Sequence, residues 1–514
     1  MHTSFVYQIA NGVLLPQNPL IGGEDLLYPW GSHLLVALIS QFLKITPSSS
    51  FALLNIVSLL LTMVLVFKTA YLLFYSRLAA IFAVFLSIFG VTFFSRGDVA
   101  KFFSYLTNLA ISEPRAVIGI KFTNMNTMPL GILFFALFIY SLISIFSKEE
   151  YLNRNYISLF FAVLGAGFFY PLLWLGQIVS CLFLCGSIYL QQRQLAKQKI
   201  IVTLLSIFAA TLVLSPYIYS ISAAKSGSSI ALTYGWKSLL TKIVNYFFTL
   251  LPLTVVFLCQ PKAILVLGQN KKKANTAIAI LVATALMYIF LTITPPHHNE
   301  YKYLMASSLT WGIVASIAME SLYQENRFIC FLLVMILLLP ISDDWLRKLN
   351  FNNWQISEPY IEQGMYLLHK DKKENHLYEW ISNKTQKDAI FLDNKLTIPV
   401  FGRRQLYIGL DNSLQEKSSG FKDGWRMSIE ELLSIQKYSP RLLKRRKNLA
   451  KQIYTPLNSE ISLETTNQLK ETSKDKDVYV VARQPKISQK LAENKAFKQV
   501  FTNEETDIYQ LRKN

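Results

Sequence analysis

Long runs of apolar residues recur along the first two thirds of this chain and restrict what it can fold into. A helix needs about 20 such residues to cross a bilayer. At 52% hydrophobic residues, the chain holds more apolar side chains than a soluble core would require. The runs predict a mostly α, polytopic membrane protein with about ten transmembrane helices. They cover 51–75, 78–97, 129–146, 156–172, 173–190 (split from the previous run at "FFYPLLW"), 200–222, 239–259, 276–295, 302–322 and 328–342.

The loops between these runs indicate the orientation of the chain. Loops 191–199 ("QQRQLAKQK") and 260–273 are the most basic, and loops rich in Lys and Arg stay in the cytoplasm. The net charge of +19 therefore fits a membrane protein, and no nucleic-acid-binding pattern accompanies it. Alternation of the spans places these segments outside the cytoplasm: 1–50, 98–128, 223–238, 296–301 and everything after residue 342.

The segment 31–45 ("GSHLLVALISQFLKI") is apolar but short. As a span it would invert every later loop, so we predict a helix lying in the outer membrane interface. Residues 1–50 then form the first extracytoplasmic loop, and 51–342 form the transmembrane domain.

Residues 343–514 have a different pattern, in which helices and strands alternate. Alternation of this kind predicts an extracytoplasmic soluble α/β domain of about 150 residues. The four cysteines all lie in apolar runs, which argues against structural disulfides and a zinc site. We expect helices at "HLYEWISNKT", "SIEELLSIQ" and "PRLLKRRKNLAKQI", and strands at "AIFLD", "QLYIG", "DVYVVAR", "FKQVF" and "DIYQLR".

Acidic residues are rare before residue 343, and two of them stand side by side in "GGED". Glu24 and Asp25 belong to the predicted first outer loop. A carboxylate at a membrane mouth can act as a general base or hold a divalent metal ion. The alternative is a solvated pair of loop carboxylates. The other acids predicted to face outward are Asp98, Glu113 and Glu300.

Two further outer segments carry candidate binding residues. In "TPPHHNEYKY", His297, His298 or Lys302 could bind a phosphate, with Glu300 orienting one of them. This segment could equally be a polar turn with interfacial tyrosines, and adjacent histidines point apart, which disfavours a metal site. In the loop 98–128, Arg115 and Lys121 could cover a lipid headgroup, or the loop could pack on the outer domain. No Walker, dinucleotide-binding or G-x-S-x-G pattern occurs.

The N-terminal segment "FVYQIANGVLLPQNPLIGGEDLLYPWGSHLL" resembles the first outer loop of the GT-C glycosyltransferases, as found in uncharacterised bacterial members. The matching elements are "ANG", "P-x-NP", "GG-x-x-L-x-Y" and "G-x-H". "NEYKYLMASSL" and "YEWISNKTQKDAIFLDNKLTIPVFGRRQLYIG" are also similar to that family. The resemblance covers most of the chain loosely, through short motifs.

The resemblance implies an enzyme of the bacterial inner membrane. Such an enzyme takes a sugar from a polyprenyl-phosphate donor and passes it to a glycan, lipid or protein acceptor at the outer face. It further implies a catalytic acidic residue, Asp25 with Glu24 second, whose carboxylate acts as a general base and deprotonates the acceptor. His33, of the G-x-H motif, is assigned to substrate binding together with Arg115, Lys121, His297, His298, Glu300 and Lys302. Membrane lipids are further expected partners, nucleic acid is not, and no cofactor is assigned.

Members of the family usually have a span before this loop and the key acid shortly after that span, whereas this chain starts within the loop. Either the 51–75 run directs insertion, or a first span with a further acid lies upstream of Met1. Two other functions use the same kind of substrate and stay open. One is a transporter or flippase of lipid-linked glycans, and the other is a glycan polymerase or ligase that relies on outer-loop arginines such as Arg115.

Overall fold

The computed structural model divides the chain into two compact units. One unit contains Met1–Phe51, Ile221–Ser228 and Gln355–Asn514, and we call it the soluble unit after the soluble domain predicted above for its C-terminal part. The other contains Ala52–Ser220 and Ser229–Trp354, and we call it the membrane unit. The structure describes residues 2–13, 16–26, 29–89, 122, 127–147, 153–191, 197–223, 230–232, 236–258, 260, 271–293, 301–335, 361–363, 366–368, 374–393, 395, 397–409, 438–454, 461–474 and 476–512.

Helices dominate the described residues. In chain order they are α1 (His2–Ala10), α2 (Gly31–Leu43), α3 (Pro47–Phe74), α4 (Arg77–Phe89), α5 (Met128–Ser147), α6 (Asn153–Phe169), α7 (Pro171–Gln191), α8 (Lys197–Ala223), α9 (Trp236–Leu258), α10 (Lys271–Phe290), α11 (Tyr301–Glu325), α12 (Asn375–Lys384), α13 (Pro440–Tyr454), α14 (Leu463–Thr472) and α15 (Pro485–Glu493). Residues 327–335 are also helical, and Ile398–Gly402 form one π-helical turn.

A helix occupies each of the ten predicted spans, at least in part. Four helices are long and apolar enough to cross a membrane, namely Pro47–Phe74, Met128–Ser147, Pro171–Leu190 and Lys197–Ser220. The protein is thus mostly helical with several candidate spans, and the number ten stays a prediction. The break predicted at "FFYPLLW" is confirmed, because α6 ends at Phe169 and α7 begins at Pro171, where proline is favoured.

Small side chains bring α4 and α11 into close contact within the membrane unit. Ala80 and Ala83 of α4 are fully buried, and the hydroxyl of Ser87 donates to the carbonyl of Leu309 in α11. Gly312 lies directly against the backbone of Ser87. Close backbone approach through small residues is the usual way in which helices associate in lipid.

The soluble unit is built on a five-stranded mixed sheet in the order β6-β5-β7-β9-β8. Its strands are β5 (Ile390–Leu392), β6 (Gln405–Leu406), β7 (Val478–Ala482), β8 (Phe497–Thr502) and β9 (Asp507–Leu511). β5 runs parallel to β6 and β7, whereas β9 is antiparallel to both β7 and β8. Short antiparallel pairs also join β1 (Ile230–Leu232) to β2 (Leu291–Ile293) and β3 (Ile361–Gln363) to β4 (Tyr366–Leu368).

All five predicted strands of the soluble unit are confirmed, as are the helices α12 and α13. The predicted helix "SIEELLSIQ" lies outside the described residues. Residues 1–51 group with the C-terminal part of the chain in one compact unit. The boundaries 1–50, 51–342 and 343–514 stay a prediction.

Two charged residues form an ion pair at the carboxyl ends of two adjacent parallel strands. Asp393 follows β5 and Arg483 follows β7, and Arg483 Nη2 lies 2.8 Å from Asp393 Oδ2. Glu374 adds a second carboxylate to Arg483. Burial raises the pKa of Asp393, and the bonds from Arg483 oppose that rise. These ion pairs link the ends of the two strands.

The contact between α4 and α11 gives a first testable prediction. A Cβ atom at position 312 would lie 2.6 Å from the backbone nitrogen of Ser87, so Gly312→Ala forces the two helices apart. We expect a loss of about 1–3 kcal/mol in unfolding free energy, measured by denaturation in detergent. Gly186→Ala in α7 is the matched control, because nothing lies within 4 Å of that position. Equal stability of the two variants would contradict the close contact.

Candidate functional site

The predicted catalytic segment, residues 16–26, is folded onto the edge of the soluble unit's sheet. The amide of Gly22 donates to the carbonyl of Leu406 at 2.6 Å, and the amide of Leu406 donates to the carbonyl of Pro19 at 2.8 Å. The amide of Gly409 donates to the carbonyl of Leu20 at 2.9 Å. These three main-chain bonds attach the segment to β6 and to the residues that follow it.

Apolar burial holds the same segment. Leu20 and Ile21 belong to the core cluster of the soluble unit, and Ile21 has no exposed surface. Burying two aliphatic side chains of this size contributes about 1.5–3 kcal/mol each. Gly22 faces Ile390 of β5 so closely that a Cβ atom would lie 2.8 Å from it, and Gly23 has a φ of +81°. The two glycines of "GGED" therefore allow a close approach and a left-handed turn.

Glu24 is engaged on both of its carboxylate oxygens. Oε1 accepts from Arg446 Nη2 at 3.1 Å, and Oε2 accepts from Lys474 Nζ at 3.2 Å. The side chain of Arg446 is fully buried, whereas that of Glu24 is 18% exposed. Arg446 also donates to the carbonyls of Gly22, Tyr407 and Thr472. Burial lowers the pKa of Arg446, and Tyr407 and Glu24 oppose that change.

Asp25 differs from its neighbour because its side chain is exposed. Its backbone is fixed by a β-bridge to Gln17 and by the hydroxyl of Tyr438, which donates to the Asp25 carbonyl at 2.6 Å. Asn18 Nδ2 donates in turn to the Tyr438 hydroxyl at 3.1 Å. The carboxylate of Asp25 is therefore carried on an ordered backbone while it faces solvent.

His33 lies inside the soluble unit, in the packing of α1, α2 and the start of α3. Its Nε2 is 2.7 Å from Nδ1 of His2, and the two rings are stacked with centroids 5.0 Å apart. Phe5 and Phe51 meet the His33 ring edge to face. His33 has no exposed surface, and its assignment to substrate binding stays a prediction.

Lys302 belongs to the membrane unit, in the first turn of α11. Its Nζ lies 4.9 Å from the centroid of the Tyr170 ring and 5.7 Å from that of Tyr301, both cation–π distances. Lys302 also lines a small cavity whose other walls are apolar. These walls come from α5, α7 and α11: Met128, Ile132, Phe135, Leu173, Met305, Ala306 and Leu309. Lys302 is the one charged residue among the described residues of this lining, and the cavity has room for about one water molecule.

The remaining predicted site residues, Arg115, Lys121, His297, His298 and Glu300, lie outside the described residues. Within the described part of the chain, no three His, Cys, Asp or Glu side chains come close enough to hold a metal ion.

The sequence analysis did not single out Arg446, which lies in the predicted helix "PRLLKRRKNLAKQI". The signal was its phase in α13, since Arg446 falls in line with the buried Leu449, Ala450 and Ile453. A charged residue in the apolar stripe of an amphipathic helix has to find buried acceptors. The preceding residue in the chain, Arg445, has a side chain that is 40% exposed and pairs with Glu471 on the surface.

No protein-family model and no curated protein matches the chain. Among solved structures, the fold is similar to ArnT from Cupriavidus metallidurans in the apo state. That match has 10% identity and a TM-score of 0.44, and it covers 99% of this chain and 92% of that one. An Archaeoglobus fulgidus oligosaccharyltransferase tethered to an acceptor peptide is similar at 9% identity and a TM-score of 0.42. Here the match covers 94% of this chain and 64% of that one. At these scores, any function has to be argued from the residues of this chain.

The buried histidine pair predicts a pH dependence of stability. Burial and the neighbouring His2 hold the pKa of His33 well below 6.5, and burial lowers that of His2 to about 3. The folded state therefore keeps both rings neutral, while the unfolded chain takes up protons below about pH 6.5. The stabilisation is present above this pH and is lost as the pH falls, by up to about 1.4 kcal/mol per pH unit for each histidine.

Thermal unfolding of the parent and of His33→Gln between pH 7.5 and 5.5 tests this sign. The variant is expected to lose less stability on acidification than the parent does. His376→Gln is the control, because His376 is exposed on α12, and it should keep the parent's slope. A parent whose stability rose toward pH 5.5 would refute the prediction.

Proposed function

We propose that this chain is an integral-membrane glycosyltransferase of the GT-C type, which transfers a sugar from a polyprenyl-phosphate donor to an extracytoplasmic acceptor. One observation carries the proposal: the segment with the family-like motif is tied to the sheet of the soluble unit and presents one exposed carboxylate, Asp25. A rigid backbone with a solvent-facing carboxylate is what a general base requires.

In the proposed reaction, the oxygen of an acceptor hydroxyl forms a bond to the anomeric carbon of the donor sugar. The bond between that carbon and the phosphate oxygen breaks, and the polyprenyl phosphate leaves with the electron pair. The proton of the hydroxyl passes to the carboxylate of Asp25. The leaving phosphate gains negative charge, which a cation can stabilise.

Lys302 is the proposed cation for the donor phosphate. It places an ammonium group among apolar side chains, and this charge suits the phosphate of the donor. Arg115, Lys121, His297, His298 and Glu300 are proposed as further substrate-binding residues on the basis of the family resemblance. We place the enzyme in the bacterial inner membrane, with its soluble unit outside the cytoplasm.

Asp25→Asn tests the catalytic role. Loss of a general base reduces the rate by about 10²- to 10⁴-fold. We therefore expect transfer from a radiolabelled polyprenyl-phosphate sugar to fall by at least about 100-fold in the purified variant. Asp388→Asn removes an exposed aspartate of the same unit and should leave transfer unchanged. Full activity of Asp25→Asn would remove Asp25 from the mechanism.

Lys302→Met tests donor binding. A hydrogen bond to a charged group contributes about 1.5–3 kcal/mol, so the KM for the donor should rise about 10- to 100-fold. Arg327→Met is the matched control: it removes another cation of the membrane unit, Arg327, which lies 5.4 Å from the ring centroid of Tyr323. An equal change in donor KM for both variants would contradict a specific role for Lys302.

A further inference from the structure

We propose that Arg446 and Glu24 are positioning residues for Asp25: their ion pair fixes the segment 16–26 on the soluble unit and so holds the Asp25 carboxylate in place. The inference rests on the proposed function of Asp25 as the general base. It assigns the two carboxylates of "GGED" to different tasks, with Glu24 as an anchor and Asp25 as the reacting group.

The anchoring begins with the burial of Arg446. A buried guanidinium is costly unless acceptors surround it. Its Nε has no hydrogen-bond partner among the described residues, but four acceptors contact the two terminal nitrogens: the carbonyls of Gly22 at 2.8 Å, Tyr407 at 3.0 Å and Thr472 at 2.5 Å, and the Glu24 carboxylate at 3.1 Å. Two of the four belong to the segment 16–26. If the segment left the sheet, the buried guanidinium of Arg446 would lose two of its four acceptors.

A second set of bonds reaches Asp25 directly. Tyr438 donates to the carbonyl of Asp25 while it accepts from Asn18, at the other end of the same segment. Lys474 Nζ donates to the Gly23 carbonyl at 2.8 Å and to Glu24. The carbonyl of Asp25 and the two residues before it are thus held by the C-terminal part of the chain, and this sets the direction of the Asp25 Cα–Cβ bond.

Glu24 is poorly suited to the reacting role. A general base has to have an oxygen available for the proton of the acceptor. Arg446 engages one oxygen of Glu24 and Lys474 engages the other. The exposed carboxylate of Asp25 is the one that an acceptor hydroxyl can reach.

Steady-state kinetics of the full-length protein in detergent distinguish the two tasks. Glu24→Gln should lower kcat by about 10- to 100-fold, because a small displacement of a reacting group costs up to that much. The KM for the polyprenyl-phosphate sugar should stay unchanged. The fall of the rate at low pH (the acid limb), which reports protonation of the proposed base Asp25, should persist. Loss of that limb in Glu24→Gln would make Glu24 the base and overturn the inference.

Arg446→Met and Arg445→Met form a matched pair of neighbouring arginines. Arg446→Met should lower kcat as Glu24→Gln does, whereas Arg445→Met removes only a surface ion pair with Glu471 and should keep the parent kcat. The double variant Glu24→Gln/Arg446→Met should be no slower than Arg446→Met alone, because the two residues act as one unit. Multiplicative losses would show independent roles and overturn the inference.

Hydrogen exchange tests the anchor without any assay of transfer. The amides of Gly22 and Leu406 should exchange at least about 10-fold faster in Glu24→Gln, while the amides of β7 keep the parent rate. Unchanged exchange at Gly22 would overturn the anchoring role.

If Arg446→Met also loses protection in β7, the unit has unfolded in that variant, and the exchange measured in Glu24→Gln alone tests the anchor. A parent that transfers no sugar but shows this exchange pattern would refute the proposed function and leave the anchor standing.

Discussion

The soluble unit depends on the burial of one guanidinium group. Arg446 has no exposed surface, and an isolated cation in such a place would cost several kcal/mol. The chain meets this cost by bringing oxygens from three distant stretches of sequence to one point, around residues 22–24, 407 and 472. Because the N-terminal segment supplies two of these oxygens, the C-terminal sheet and the N-terminal loop form one folding unit.

The proposed catalytic loop is ordered by the same contacts. A loop of Gly, Pro and polar residues would ordinarily be mobile, and a mobile carboxylate is a weak catalyst. Here the sheet edge at Leu406, the hydroxyl of Tyr438 and the cation Arg446 order the backbone on both sides of Asp25. The two glycines allow the close approach to Ile390 and the left-handed turn that this docking requires. Order in the loop is thus provided by residues about 400 positions away.

The sequence was sufficient for elements whose signal is local. Apolar runs and alternation predicted helices at all ten positions and all five strands of the sheet, because periodicity is a property of consecutive residues. It could not predict that residues 16–26 pack against β6, since that segment shows no alternation and its bonds to Leu406 join main-chain atoms. Arg446 was visible in principle, because it lies in the buried phase of α13. Its partners were not visible, since nothing in the spacing of Glu24 or Thr472 connects them to it.

The same distinction separates the two carboxylates of "GGED". Glu24 and Asp25 are adjacent carboxylates in one predicted loop, so the surrounding sequence does not distinguish their acid–base chemistry. What makes them different is long-range: Glu24 meets two cations from the C-terminal part of the chain, and Asp25 meets solvent. An ion pair with a buried arginine ties Glu24 to the stability of the unit, so under the proposed mechanism its removal affects folding and catalysis together. Under the same proposal, removal of the exposed Asp25 carboxylate leaves the fold intact and changes only the chemistry, which is why the two substitutions can separate structure from function.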